Sequence, residues 1–264
     1  MMHLGIKRLL SEVAVLRGTA RWAKGVLRHG MLFAALLALV LGPAQTTLAA
    51  VGSFTTFDFP GAPLTEAIGV NSHGDVVGLY TAGMTHGFLL KRGVFSTIDF
   101  PGATTTEAFG INDSRQIVGL YTSGGVHGFL LDDGVFTTFD FPSATFTVGF
   151  GINEDGKIVG AYILSGVTHG FLLCDGVFTT IDPPGSTTTE NLFGINDHGQ
   201  ITGAYITGGM FHGFLLSAGV FTTFDPPGST ATFNSGINDA RKIVGTFKDS
   251  GGNLHGFMAR VLKH

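Results

Sequence analysis

The chain has 264 residues, of which 24 are Phe, 41 are Gly and only 13% are charged, a composition that excludes a disordered polymer and supplies apolar surface for a folded core. Six of the 15 basic residues and one of the 19 acidic ones lie in the first 50 positions, which leaves nine basic and 18 acidic residues and a formal balance of minus nine. Such a surface repels a polyanion and excludes nucleic acid as a partner, while a single cysteine, Cys174, excludes an internal disulfide.

Residues 1–50 read as a signal peptide or leader. Lys7, Arg8, Arg17, Arg21, Lys24 and Arg28 precede an apolar run from Met31 to Leu41, and small residues follow, with cleavage expected after Ala44 or Ala49. The run is too short to span a bilayer, so the reading is export to the periplasm or the extracellular space, with no stable membrane span after cleavage. An uncleaved anchor is the alternative, and Met31 is an alternative start.

Residues 51–264 form one five-repeat domain. The text that begins "FTTFDFPG" at Phe54 recurs from Phe95, Phe136, Phe178 and Phe221, at spacings of 41, 41, 42 and 43 residues, a period of propeller blades rather than helical repeats. Each repeat parses into four short strands. In the second copy, "FSTIDF" from Phe95 ends at the turn dipeptide Pro101-Gly102, and "EAFGIN", "QIVGLYT" and "HGFLL" follow. Between the second and third of these, an Asn opens a tight turn that Gly closes in a left-handed conformation; Arg115 and Arg241 replace that Gly in two copies, at about 1 kcal/mol each if the geometry is kept.

In "VVGLY" from Val76, both faces of the strand are apolar, so each sheet needs a neighbour on either side. Gly69, Gly110, Gly151, Gly194 and Gly236 suit a crowded strand where backbones approach closely. The repeat region opens with one outer strand at Phe54 and closes at Val261 without another. Pairing the two predicts an all-β five-bladed β-propeller of four-stranded antiparallel blades, closed by the N-terminal strand on the last blade; an open solenoid is the alternative.

The string "GINDxGQIVGxYxxxGxxHGFL" resembles the HAF-repeat family of extracellular bacterial repeats, named for a His-Ala-Phe triplet. Here the triplet is His-Gly-Phe in all five copies, and the resemblance covers nearly everything after residue 50. It implies export and a propeller-like fold and brings no biochemical activity with it.

The candidate residues fall into ladders on one rim. Asp58, Asp99, Asp140, Asp182 and Asp225 end the outer strands, and His86, His127, His169, His212 and His255 begin the third strands. Groups present in every blade are read as structural hydrogen-bonding ladders. A catalytic constellation needs distinct groups in one place, so no catalytic residue is assigned, and the spread of the histidines argues against a metal site. Neither cofactor nor metal is expected. Glu66, Glu107 and Glu190 differ, because Val148 and Phe233 stand at the corresponding places in the other copies. With Phe211 and Phe233 at variable loop positions, they form the ligand-binding rim candidate, solvated rim carboxylates being the plainer reading. Cys174 aligns with Lys91, Asp132, Ser217 and Arg260, a tolerant position that argues against a catalytic thiol.

The favoured function is a secreted, monomeric, non-enzymatic binding or scaffold module with a protein or glycan partner. A carbohydrate-binding propeller is the alternative, although the only tryptophan, Trp22, lies in the leader. A glycan-active enzyme is the second alternative and lacks a visible unique acid pair.

Overall fold

The computed structural model describes residues 55–261, so the leader, its cleavage and the start codon lie outside the described residues. The chain divides into two units, Met1–Thr56, which lies almost wholly outside the described residues, and Phe57–His264. The second carries 19 strands and, among the described residues, no helix.

Apolar and β-branched runs of four to nine residues, cut by glycine turns, give five successive antiparallel meanders. The first is β1 (Leu64–Val70), β2 (Val76–Ala82), β3 (Met84–Lys91) and β4 (Val94–Ile98). The second is β5 (Thr105–Ile111), β6 (Ile117–Thr122), β7 (Val126–Asp132) and β8 (Val135–Phe139). The third is β9 (Phe146–Ile152), β10 (Ile158–Leu164), β11 (Val167–Cys174) and β12 (Val177–Thr180). The fourth is β13 (Thr188–Ile195), β14 (Ile201–Thr207), β15 (Met210–Ser217) and β16 (Val220–Thr223). The fifth stops after β17 (Ser229–Ile237), β18 (Lys242–Asp249) and β19 (Leu254–Arg260). The segment from Phe95 that opens the second copy in sequence thus closes the first meander as β4, hydrogen-bonded to β3.

The all-β class stands, but the closed ring of five four-stranded blades does not. Single parallel bridges, Thr85 to Thr105 and Val126 to Phe146, merge the first three meanders into one sheet of 12 strands; the fourth is a separate sheet of four and the fifth a separate sheet of three. Among the described residues no strand pairing joins the last meander to the first: β1 pairs with β2, and β19 pairs with β18. Strand counting placed the segment from Phe54, residues 53–60, as a strand on the last blade; residues 53 and 54 lie outside the described residues, and no described residue before Leu64 is in a strand. Instead Phe59 stacks on Tyr80 at 3.6 Å and Phe57 leans on Phe95 at 6.1 Å, both within the first meander.

The meanders bury apolar faces against one another in sequence order. Val77, Leu89 and Ile98 of the first pack on Ala108, Ile111, Ile117 and Phe129 of the second, and Val118, Leu130 and Phe139 pack likewise on Ile152, Ile158 and Phe171. Val159, Leu172 and Ile181 repeat the arrangement against Leu192, Ile195 and Ile201. Among the described residues the outermost faces have no such cover. Val70 is 66% exposed where Ile111, Ile152 and Ile195 are 8%, and Val244 is 46% exposed where Val77, Val118 and Val159 are 0%.

Glycine is required where the next meander crowds the backbone. A Cβ on Gly69 would lie 2.5 Å from the Phe109 carbonyl oxygen, and one on Gly170 would run into the Leu192 side chain and come within 3.1 Å of Thr189 Cγ2. A polar relay reinforces the packing. In each Asn turn the side-chain Oδ1 accepts the N–H four residues on, from Asp75, Gln116, Lys157, Gln200 and Lys242 at 2.8 to 2.9 Å. The Nδ2 groups of Asn71, Asn112, Asn153 and Asn196 each donate to the backbone carbonyl of the next turn's Asn, at 3.0 to 3.3 Å. These side chains are buried, so each amide staples two meanders where water does not compete. Arg115 and Arg241 keep the left-handed turn, with φ of 65° and 57° beside 76° at Gly74.

Candidate functional site

The third strand places each histidine opposite the tyrosine of the second, as His86 opposite Tyr80 and His127 opposite Tyr121. The fourth strand ends beside it, which brings the aspartates into reach. His86, His127, His169 and His212 pair through Nδ1 with Asp99, Asp140, Asp182 and Asp225 at 2.7 to 2.9 Å. Asp182 and Asp225 also accept the N–H of Gly170 and Gly213 within the His-Gly-Phe triplets. Tyr80, Tyr121 and Tyr162 each stack on their histidine at 5.0 to 5.1 Å and also on Phe59, Phe100 or Phe141 at 3.6 Å. The four tyrosine hydroxyls bond to Thr97, Thr138, Thr180 and Thr223 on the fourth strands. Aspartate, histidine, tyrosine and threonine thus tie the second, third and fourth strands together.

The fifth meander breaks the pattern. His255 bonds through Nε2 to Asp249 at 3.0 Å, and this contact, ahead of those from Asn253, holds the Asp249 carboxyl well below the usual carboxylate range. Phe247 stands where the other meanders have tyrosine, in a sheet with no fourth strand to offer a threonine hydroxyl. Asp58 has no hydrogen-bond or ion-pair partner among the described residues.

The three glutamates lie inside first strands rather than on a loop. Glu66 faces Leu79, Glu107 faces Leu120 and Glu190 faces Ala204, with Val148 and Phe233 at the same register in β9 and β17. First strands of consecutive meanders pack on one another, so these residues form a row: Glu66, Glu107, Val148, Glu190, Phe233. Buried Val148 divides it into an acid pair and a glutamate beside an aromatic. Glu107 has a buried Oε2 without a hydrogen-bond partner among the described residues. Burial first, and the charge of Glu66 second, push its carboxyl up to about 7. Phe233 packs against Phe211 of β15, with ring centroids 4.7 Å apart and planes at 41°, and both rings are partly buried.

Burial, then the hydrogen bond and charge of Asp175, raise the Cys174 thiol, the opposite of what an activated nucleophile needs. Among the described residues no three His, Cys, Asp or Glu side chains gather as a metal site. Sequence reasoning missed two groups. One is the inter-meander role of the Asn amides. The other is Asp75, whose buried carboxylate accepts from Arg115 Nε at 2.7 Å; burial alone would raise it, but Arg115, with Asn71 and Lys91, holds it below the ordinary value.

No protein-family model matches the chain, and no curated protein matches it. Solved structures do. The chain is similar to a structure of putative TolB from Agrobacterium tumefaciens, at 15% identity and a TM-score of 0.56 over 73% of this chain and 80% of that one. TolB from Acinetobacter baumannii gives 11% identity and a TM-score of 0.52 over 75% of this chain, which spans about half (54%) of that protein. The β-propeller domain of the Trilobed protease from Pyrococcus furiosus, described as having an open velcro topology, gives 10% and 0.50 over 70% of this chain and 62% of that one. At these identities the likeness concerns the fold alone, and that fold is propeller-like.

Proposed function

We propose that the chain is a non-enzymatic binding or scaffold module that works outside the cytoplasm, as a HAF-type repeat protein. The observation that carries this reading is the shared use of the polar ladder. Four histidines and four aspartates make the same internal bond in four successive meanders, so the repeated chemistry serves the scaffold. What varies from repeat to repeat is the first-strand row, and variation on a rigid repeat is how such scaffolds acquire a ligand. Export rests on the basic and apolar grammar of the leader. No described helix is long and apolar enough to cross a membrane.

Two halves of the row favour different ligands. Glu190 beside the Phe211 and Phe233 rings suits a glycan, whose hydroxyls accept bonds from neither ring but whose apolar faces stack on aromatics. At Glu107 beside Glu66, a carboxyl whose pKa is pushed up to about 7 sits next to a second carboxyl, the kind of pairing a glycan-active enzyme uses. The experiment is an immobilised glycan panel that reads retention and product release together. Retention without release, lost in Phe233→Ala, supports the glycan-binding branch. Release abolished by Glu107→Gln replaces the proposal with an enzyme. Neither signal directs the search to a protein partner, by peptide array.

A further inference from the structure

The two uncovered faces of the repeat array are the two halves of one interface that the chain already makes four times. Repeat arrays that end in water carry polar outer faces on their terminal repeats, and here both terminal faces are apolar. On the trailing side of the last meander, Val244 and Met258 are exposed at positions where Val77, Val118 and Val159, and the half-buried or buried Leu89, Leu130, Leu172 and Leu215, meet the next meander. On the leading side of the first, Ala67 and Val70 are exposed where Ala108 and Ile111 are buried.

Backbone features match these side chains. A Cβ on Gly170 would run into Leu192 and one on Gly213 into Asn234, both of the following meander, and each also nears the end of its own fourth strand, whereas a Cβ on Gly256 would meet nothing within 4 Å. Gly69, Gly110, Gly151 and Gly194 are each pressed by the backbone of the following first strand, whereas Gly236 faces only a Val244 methyl at 3.7 Å. The last meander therefore keeps one glycine, Gly236, that only a following neighbour would require, and another, Gly256, that a fourth strand or a following neighbour would press. The Asn relay is likewise open at both ends. Asn238 is exposed, and among the described residues its Nδ2 has no carbonyl to donate to. The Asn112 carbonyl accepts both Arg115 N–H and Asn71 Nδ2, whereas among the described residues the Asn71 carbonyl accepts only Gly74 N–H. The neighbouring carboxylate rung, in which Ser72 N–H donates to Asp113, ends at the first meander because Ser72 itself has no carboxylate to offer.

We propose that the trailing face of the fifth meander docks on the leading face of the first meander of a second copy of this chain, head to tail. In this contact Val244 packs beside Val70 as Val77 packs beside Ile111, Gly256 and Gly236 admit the incoming strands, and Asn238 Nδ2 donates to the Asn71 carbonyl. The contact is heterologous, so each copy offers one donor face and one acceptor face. The sequence alone favours a monomer because it lets the two ends of one chain satisfy each other; with no pairing between those ends among the described residues, a second copy is the surface whose chemistry already fits.

The test uses the full chain with Cys174→Ser, carrying Val70→Cys, Val244→Cys or both, and a short bismaleimide crosslinker. Equal mixing of the two single variants gives crosslinked dimer, each single variant alone gives little, and the double variant gives a ladder of multimers. Dimer as abundant in either single variant alone, an internally crosslinked monomer from the double variant, or no crosslink in the mixture overturns the proposal. Light scattering through a dilution series supplies the second reading. The unaltered chain reaches at least twice the monomer mass at high concentration, and Val244→Asp with Met258→Asp, both at exposed positions, returns it to the monomer. Persistence of the larger species in that variant assigns the association elsewhere and overturns the head-to-tail contact.

Discussion

Asn112→Ala removes three hydrogen bonds at once. Asn112 Oδ1 accepts Gln116 N–H at 2.8 Å, and its Nδ2 donates to Gln116 Oε1 at 2.8 Å and to the Asn153 carbonyl at 3.0 Å. The side chain is buried, so the alanine variant leaves a backbone donor and part of a backbone acceptor unmet, each at about 1 to 3 kcal/mol. The expected loss is about 2 to 4 kcal/mol in stability. Asn238→Ala removes the same turn bond, Lys242 N–H to Oδ1 at 2.9 Å, at an exposed position that reaches no further meander. Its expected loss is about 1 kcal/mol or less, because water replaces the lost acceptor. Urea unfolding followed by far-ultraviolet circular dichroism measures both, at concentrations low enough to keep the chain monomeric. Asn112→Asp separates the two functions of the side chain, since it keeps the acceptor for Gln116 N–H and turns the donor against the Asn153 carbonyl. Equal losses for Asn112→Ala and Asn238→Ala, or an Asn112→Asp variant as stable as the parent, would refute the idea that the amide staples one meander to the next.

Gly170→Ala places a Cβ 2.7 Å from the Ile181 carbonyl oxygen and is expected to cost about 1 to 3 kcal/mol, while Gly256→Ala leaves monomer stability nearly unchanged; the same urea curves check both. Arg115→Gly relieves a left-handed φ but leaves buried Asp75 without its cation, so a net loss of about 2 kcal/mol is expected. Arg241→Gly relieves the same strain with no ion pair among the described residues to lose and is expected to gain about 1 kcal/mol. The pH dependence follows from Glu107, whose folded pKa of about 7 lies above the ordinary 4.5. Below pH 4.5 both states hold the proton and its contribution is whole. Between about 4.5 and about 7 only the unfolded chain ionises, so stability falls as pH rises, by on the order of 3 kcal/mol in all. In Glu107→Gln that slope disappears, as denaturation midpoints from pH 4 to about 8 would show.

The strands were legible because alternating apolar runs and glycine turns are local signals, and the register that aligns Glu66 with Glu107 and Glu190 followed from the repeat alone. Closure was not local. It depended on where the segment from Phe54 to Pro60 goes, and of its described residues Phe57 and Phe59 have their rings against Phe95 and Tyr80 of the first meander. One residue did carry the signal. Phe247 replaces tyrosine in the fifth copy, which a blade completed by a fourth strand bearing threonine would have no reason to do. The Asn relay was hidden for a different reason. A turn that opens with Asn accounts for the residue by itself, and its free amide acquires a partner about 40 positions away only once the meanders are stacked. The invariance of Asn while the turn glycine gives way to Arg115 and Arg241 was the available hint.

The stacked tyrosines make the molecule its own optical gauge. The chain has four tyrosines and one tryptophan, the latter being Trp22. Tyr80, Tyr121, Tyr162 and Tyr205 supply one emitter to each of the first four meanders, each with its hydroxyl bound to a threonine, while the fifth, with Phe247, stays dark. With Trp22→Phe to clear the background, variants that retain one tyrosine apiece would show in which order the meanders come apart, and whether the loss begins at the dark end.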